Sequence, residues 1–181
     1  MDFSININSN IFNLPSEFAD ALAKIITDKK DKYERQKLGQ FFTPLNTAYK
    51  FISFAEFSVT GINLNICEPA CGLGILSCVF IEHLCKNSPI KTINLTCFEI
   101  DLSITDYTFN VLEKLKLYCQ KFGIELNYNL VKEDFILYFK EIFINVNIYS
   151  LFDVIISNPP FFKLENNDQR VILAKNILYG L

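Results

Sequence analysis

The stretch NLNICEPACGLG, residues 63–74, decides the fold class of this 181-residue chain. A short strand, Asn63 to Cys67, runs directly into a loop with two glycines, and an apolar helix follows from Gly74 to Lys86. On either side of this unit the chain keeps alternating between strand and helix patterns. The alternation predicts βαβ units and therefore an α/β fold with a mostly parallel, doubly wound sheet.

The remaining elements follow from apolar periodicity and from glycine and proline positions. Further strands are predicted over Thr92 to Glu99, Ile124 to Val131 and Phe152 to Ser157, and helices over Ser103 to Phe122, Phe135 to about Phe143 and Asp168 to Leu178. The apolar, β-branched fourth strand predicts burial on both faces. Two helices precede the sheet, one opening at Pro15 and one running to about Phe57, with Thr43 as N-cap and Pro44 as first helical residue.

Composition excludes several classes of protein. Half of the residues are apolar and the net charge is −3, so the chain can build a core and is not a self-sufficient, basic nucleic-acid binder. The stretch from Lys24 to Lys37 is locally basic and is either a solvated helix face or a phosphate-contacting patch. No apolar run or signal peptide predicts a membrane association, and we expect a cytoplasmic protein.

The six cysteines predict no metal site. None of them forms a CxxC pair, and His83 is the single histidine. Cys71, Cys78 and Cys85 recur every seven residues, which favours small buried apolar side chains on one helix face over a metal site at Cys85 and His83. Without a secretory signal, reduced thiols are the expectation.

A glycine-bearing loop between a strand and a helix is where doubly wound folds bind nucleotides. This loop follows neither the G-x-G-x-x-G pattern nor the Walker pattern, and it begins with the carboxylate of Glu68. A carboxylate there would repel a pyrophosphate and suits a ligand with a positive charge. A plain tight turn is the alternative.

Acidic residues also follow the second and third strands. Glu99 lies 25 residues beyond Gly74, close to the position at which an acidic residue binds ribose hydroxyls. Asp134 is suited to accept a hydrogen bond from an adenine amino group, with Ile100 and Phe135 on the two faces of the ring. The alternative for Glu99 and Asp134 is a helix N-cap.

The fourth strand ends in Asn158-Pro159-Pro160-Phe161. Two prolines fix a rigid, extended turn without backbone donors. The Asn158 side-chain oxygen and the Pro159 carbonyl then present two acceptors, which suit an exocyclic amino group. Phe161 offers a face on which a flat ring can stack.

Four blocks, LGQFFTP (38–44), EPACGLG (68–74), FEID (98–101) and NPPF (158–161), together resemble the gamma-order N6-adenine DNA methyltransferases of restriction–modification systems. The resemblance runs from about Lys37 to Phe161. It implies a Rossmann-like methyltransferase fold with S-adenosyl-L-methionine as cofactor and no metal. NPPF, in place of an S-P-P form, points to the N6 of adenine over the N4 of cytosine.

The resemblance also assigns roles to individual residues. Phe41 and Thr43 would contact the methionine part of the cofactor. Its amino-acid end would be lined by Glu68, Ala70 and Gly72. The ribose and adenine would be held by Glu99, Ile100, Asp134 and Phe135. Asn158, Pro159, Pro160 and Phe161 would form the catalytic turn, acting on an adenine flipped out of double-stranded DNA.

The family pattern departs from this chain after Phe161, which only 20 residues follow. We therefore expect an N-terminal helical extension over 1–38, a partial catalytic domain over 39–181 truncated after the fourth strand, and a target-recognition domain beyond Leu181. Self-association through an exposed sheet edge is a further expectation. The alternatives are a protein-glutamine methyltransferase, against which the block from Gly39 to Pro44 argues, and a non-catalytic cofactor-binding fragment.

Overall fold

A computed structural model describes residues 5, 7–30, 33, 41–55, 61–140, 151–159 and 164–179, the last four of them by their backbone alone. Its strands are β1 (Asn63–Glu68), β2 (Thr92–Phe98), β3 (Glu125–Val131) and β4 (Val154–Ile155). They form a parallel sheet in the order β3-β2-β1-β4, which confirms the predicted α/β class. All four strands therefore direct their carboxyl ends to the same edge.

Six α-helices occur in the described residues: α1 (Pro15–Lys29), α2 (Leu45–Phe54), α3 (Ile75–Asn87), α4 (Thr105–Gln120), α5 (Phe135–Tyr138) and α6 (Gln169–Tyr179). The predicted ends at Phe57 and Phe143 lie outside the described residues. The predicted start of α2 is wrong by one position, because Pro44 is its N-cap and Thr43 does not cap it. The Asp20 carboxylate, on α1, instead accepts the N–H of Leu45 at 3.2 Å.

One face of the sheet packs against helices α1 to α4. Alternate strand residues, such as Leu64 and Ile66 in β1 and Ile93 and Leu95 in β2, join the apolar core with side chains from all four helices. The first helix contributes Phe18, Leu22 and Ile26, so α1 is part of this core. The predicted domain boundary at 38/39 falls outside the described residues and stays a prediction.

The opposite face of the sheet is polar toward the amino ends of the strands. Asn65, Asn94 and Asn127 stand side by side on β1, β2 and β3 and form the asparagine row. The Asn94 amide donates to Asn65 Oδ1 at 3.0 Å, and the Asn127 amide donates to Asn94 Oδ1 at 3.3 Å. Toward the carboxyl ends the same face carries an aromatic cluster around Phe98 and Phe139. Among the described residues, this face is therefore apolar and buried only toward the carboxyl ends of the strands.

The fourth strand is shorter and more exposed than predicted. Only Val154 and Ile155 form β4, Val154 is half-buried and Ile155 is 43% exposed. The expectation of burial on both faces is wrong, because the consecutive side chains of Val154 and Ile155 point to opposite faces of the sheet and both remain partly accessible. β-branched composition indicates a strand, but burial requires covering neighbours on both sides.

The exposure of the cysteines and of the basic residues can be compared with the expectations from the sequence. All six cysteines are buried and free, which confirms their apolar role. No cluster of His, Cys, Asp and Glu suited to a metal ion occurs in the described part of the chain. Lys24 and Lys29 are solvated as expected, but Lys30 is buried and pairs with Asp101, so neither alternative for the basic stretch fits it. Of that stretch, 31, 32 and 34–37 lie outside the described residues.

Among the helices that the structure describes, none combines the length and the apolarity that crossing a bilayer requires.

Candidate functional site

A cavity of about 440 Å³ opens at the carboxyl ends of the strands. Its volume lies within the range of about 300–1,000 Å³ typical of small-molecule sites. The described residues that sequence reasoning selected all line it: Phe41, Thr43, Glu68, Ala70, Gly72, Glu99, Ile100, Asp134, Phe135, Asn158 and Pro159. Pro160 and Phe161 lie outside the described residues. Motif blocks far apart in the chain thus share one cavity.

The loop between β1 and α3 has a left-handed backbone at alternate positions. Ala70, Gly72 and Gly74 have φ values of 54°, 56° and 73°. Glycine adopts this conformation freely, whereas Ala70 does so at a cost of roughly 1–2 kcal/mol. The Cys71 N–H donates to Phe98 O at 2.8 Å and so fixes the loop to the end of β2. The predicted tight turn exists, and it forms a wall of the cavity.

The Glu68 carboxyl is buried at the start of this loop, with 2% of the residue exposed. It accepts hydrogen bonds from the Ser77 hydroxyl and from the Ser77 N–H, the latter at 3.2 Å. Burial raises the pKa of Glu68 to about 8, although the hydrogen bonds from Ser77 oppose the shift. An approaching cation would stabilise the ionised form. Glu68 is therefore suited to a positively charged ligand group.

The Glu99 carboxylate joins the end of β2 to the glycine loop. Its Oε2 accepts the Gly72 N–H at 2.8 Å, and its Oε1 accepts the Asp101 N–H at 2.7 Å. Burial raises the pKa of this carboxyl. Glu99 is not a helix N-cap, since Ile104 occupies that position for α4. Each carboxylate oxygen can accept a second hydrogen bond, such as one from a hydroxyl group.

Asp134 follows the alternative that the sequence left open. Its Oδ1 caps α5 by accepting the N–H groups of Ile136 and Leu137 at 2.9 and 3.1 Å. Its Oδ2 lies 3.4 Å from Arg170 Nη1. The Asp168 carboxylate accepts two hydrogen bonds from the same guanidinium group, at 2.8 and 2.6 Å. A cation at the start of α6 thus orients the carboxylate on the cavity wall.

Ile100 and Phe135 provide the apolar surfaces beside Asp134. Ile100 is 47% exposed, and Phe135 packs its ring edge-on against Phe98 at a centroid distance of 5.2 Å. Both residues line the cavity. Their apolar surfaces are therefore available to a flat ring.

The turn after β4 is tied to two other parts of the cavity wall. The Asn158 side-chain amide donates to the Thr43 hydroxyl at 3.1 Å, and the Ser157 hydroxyl donates to Pro69 O at 2.9 Å. A side-chain amide accepts hydrogen bonds only through its oxygen, so Asn158 Oδ1 is the atom that can accept from a ligand. The link between Thr43 and Asn158 joins two motif blocks, and sequence reasoning did not anticipate it.

Sequence reasoning missed Phe42 and Arg170, which line the cavity, and Ser77, which donates hydrogen bonds to the Glu68 carboxyl at the cavity wall. Ser77 carried a signal, since it is a polar residue in the first turn of an otherwise apolar helix. Phe42 stands 3.3 Å from the position that a Cβ on Gly72 would take, and it was hidden between the chosen Phe41 and Thr43. Arg170 gave no signal beyond its place near the start of a predicted helix.

The sequence is similar to those of curated DNA methyltransferases. It is 26% identical to the type II methyltransferase M.PstI of Providencia stuartii over 86% of this chain and 30% of that protein. It is 27% identical to the modification methylase CviBIII of Paramecium bursaria Chlorella virus NC1A, over 82% of this chain and 33% of that protein. For the type II methyltransferase M.AccI of Acinetobacter calcoaceticus the identity is 31%, over 78% of this chain and 21% of that protein.

This chain spans a third or less of the length of these curated relatives. No protein-family model matches it. Among solved structures, it superposes with a TM-score of 0.54 on a Listeria monocytogenes protein provisionally described as a class I S-adenosylmethionine-dependent methyltransferase. That match has 14% identity and covers 90% of this chain and 44% of the other.

The fold and the relatives agree with the resemblance carried by the four motif blocks. The chain has a Rossmann-like α/β fold, and it is similar over most of its length to type II DNA methyltransferases of restriction–modification systems.

Proposed function

We propose that this chain is the cofactor-binding and catalytic part of a DNA methyltransferase that modifies the N6 amino group of adenine within a restriction–modification system. One observation carries the proposal. The cavity that holds the buried carboxyls of Glu68 and Glu99 also holds Asn158 and Pro159 at its wall. The residues proposed to bind the cofactor and those proposed to bind the target therefore line one cavity, as transfer between two bound molecules requires.

The cavity fits S-adenosyl-L-methionine in its chemistry. The buried Glu68 carboxyl suits the ammonium group, and the Glu99 carboxylate retains acceptor sites for ribose hydroxyls. Asp134, Ile100 and Phe135 present an acceptor and two apolar surfaces for the adenine ring. The remaining proposed contacts are those of Phe41 and Thr43 with the methionine part, and of the loop at Ala70 and Gly72 with the amino-acid end.

The proposed chemistry at the target depends on two acceptors. The amino nitrogen of adenine is a poor nucleophile because its lone pair is delocalised into the ring. Asn158 Oδ1 and the Pro159 carbonyl would accept its two hydrogens and favour a pyramidal nitrogen with an exposed lone pair. When bound, S-adenosylmethionine supplies a methyl group on a sulfonium sulfur, and transfer to nitrogen leaves a neutral thioether and releases one proton. Positioning by Asn158 and Pro159 supplies most of the catalysis.

The proposed substrate is an adenine flipped out of double-stranded DNA, because its amino group is buried within the base stack. Phe161 would stack on the flipped base, and with Pro160 it completes the proposed catalytic turn. The net charge of −3 is unfavourable for binding the DNA phosphate backbone by this chain alone. We therefore expect sequence recognition to need a separate target-recognition domain.

A methylation assay tests the proposal. The chain, alone and joined to a target-recognition domain, is incubated with labelled S-adenosylmethionine and DNA of mixed sequence, and the DNA is digested to nucleosides for mass spectrometry. The expected product is N6-methyldeoxyadenosine, which the Asn158→Ala variant does not form. N4-methyldeoxycytidine, or methylation of a glutamine-containing peptide in a parallel reaction, would contradict the proposal. Cofactor binding without any product would support the cofactor-binding fragment instead.

A further inference from the structure

Two lysines near the end of α1 have opposite environments. Lys24 forms an i,i+4 pair with Asp20 at 2.6 Å, and 74% of its side chain is exposed. Lys30 follows the last residue of α1, and its ammonium pairs with Asp101 where both side chains are less than a tenth exposed. A charge removed from water in this way is stable only with a well-placed partner. Lys30 and Asp101 therefore fix each other in place.

Asp101 is part of the cavity wall and is bonded to the residue proposed to hold the ribose. Its N–H donates to Glu99 Oε1 at 2.7 Å. Its Oδ1 accepts from the N–H and the hydroxyl of Ser103 at 3.0 and 2.6 Å. The segment from Glu99 to Ser103 is thus a single hydrogen-bonded unit, and Lys30 holds it from the side of α1.

The charges near Glu99 also link Lys30 to the cavity wall. Glu68, Glu99 and Asp101 bring three carboxyl groups to one wall of the cavity. Burial is the main cause that raises the pKa of Glu99; the Asp101 N–H opposes this shift, and the negative charge of the Asp101 carboxylate adds to it. Lys30 supplies the opposite charge directly at Asp101. Removing Lys30 would leave a buried carboxylate without this partner, next to the group that must accept hydroxyl hydrogens.

We propose that Lys30 is a positioning residue for the cofactor ribose, acting through its ion pair with Asp101 on the carboxylate of Glu99. The inference rests on the proposed cofactor assignment and adds a residue from outside the four motif blocks. It also gives α1 a role in the site, since the helix brings the cation to the end of β2.

Calorimetric titration with S-adenosylhomocysteine and with its 2′-deoxy analogue tests this role. Wild type is expected to prefer the ribose form. Lys30→Met should weaken binding of S-adenosylhomocysteine by about tenfold. The ratio of its affinity for S-adenosylhomocysteine to its affinity for the 2′-deoxy analogue should also be smaller than in wild type. Lys30→Arg should restore part of the preference, and Lys24→Met, on the same helix, should change neither affinity.

Equal weakening of both ligands by Lys30→Met would overturn the positioning role, because a general loss of structure does not distinguish a single hydroxyl. Unchanged affinity for both ligands would overturn it too. If Lys30→Met does not fold, the double variant Lys30→Met/Asp101→Asn removes both buried charges, and a wild-type ribose preference in it would refute the proposal. A wild-type chain that binds neither ligand would instead refute the proposed cofactor site itself.

Discussion

The two ends of the cavity are built in different ways. At the proposed cofactor end, Glu68 and Glu99 are buried, and their carboxyls accept hydrogen bonds from backbone N–H groups and a serine. At the target end, Asn158 is only half-buried and follows a strand of two residues. The buried ends of the strands therefore fix the proposed cofactor-binding carboxyls, whereas a few polar contacts between loops position the proposed reacting groups.

The largest expected effect lies at the target end. In a form of the protein that methylates DNA, Asn158→Ala should lower turnover by at least about 100-fold, since a group acting on the reacting atom is lost. Affinity for S-adenosylhomocysteine should stay nearly unchanged. Single-turnover methylation and calorimetry measure the two quantities. Turnover at the wild-type rate would remove Asn158 from the mechanism and break the division between the two ends.

At the cofactor end, Glu99→Ala should weaken binding of S-adenosylhomocysteine by roughly 1–3 kcal/mol, because hydroxyl groups and two backbone N–H groups lose their acceptor. Titration calorimetry measures the change, with thermal unfolding run in parallel to check the fold. Glu125→Ala, at an exposed position on β3, is the matched control and should bind normally. Wild-type affinity in Glu99→Ala would show that the ribose lies elsewhere.

The raised pKa of Glu68 makes the cofactor end sensitive to pH. Between its ordinary value of 4.5 and about 8, the folded chain holds a proton that the unfolded chain has lost. This proton makes the free energy of unfolding fall as pH rises through that window, and from pH 6 to 8 we expect a decrease on the order of 2 kcal/mol. Glu68→Gln, which cannot ionise, should lack this component in denaturant titrations at the two pH values.

Binding should show the opposite trend with pH. A bound ammonium stabilises the Glu68 carboxylate, so affinity for S-adenosylhomocysteine should rise from pH 6 to 8 with release of a proton. Calorimetry in buffers of different ionisation enthalpy detects that proton. The same proton release in Glu68→Gln would mean that another group is responsible.

The smallest expected effect concerns the edge of β4. Ile155 is 43% exposed on the outer strand of the described sheet, and such an edge favours pairing with another chain. Ile155→Lys should shift self-association to higher concentration in sedimentation experiments while changing stability by less than about 0.5 kcal/mol. Ile172→Lys, at a similarly exposed position on α6, is the control. A wild-type chain that stays monomeric at high concentration would contradict the proposed association.

The sequence predicted the parallel sheet and the acidic residues at the strand ends because both follow from local patterns, whereas Phe41, Thr43 and Ala70 came from the resemblance of the four motif blocks. Strand and helix periods are short-range, and parallel strands bring their carboxyl ends together in any such sheet. It could not predict the partner of Lys30, since Asp101 is 71 residues away and a lysine on a charged helix is ordinarily solvated. The exposure of β4 could not be predicted either, because burial depends on which elements pack against a strand, and the composition of the strand does not specify them.

The asparagine row has a calorimetric consequence. The surface around Asn94 and Asn127 is hydrated in the folded chain, so unfolding transfers little apolar area to water there. The heat capacity change of unfolding depends on newly exposed apolar area, and average behaviour gives about 2.2–2.7 kcal/mol/K for 181 residues. Because half of one sheet face is already hydrated in the folded chain, the heat capacity change of unfolding should fall below that range. The stability of this chain should then vary less steeply with temperature than that of a sheet covered on both faces.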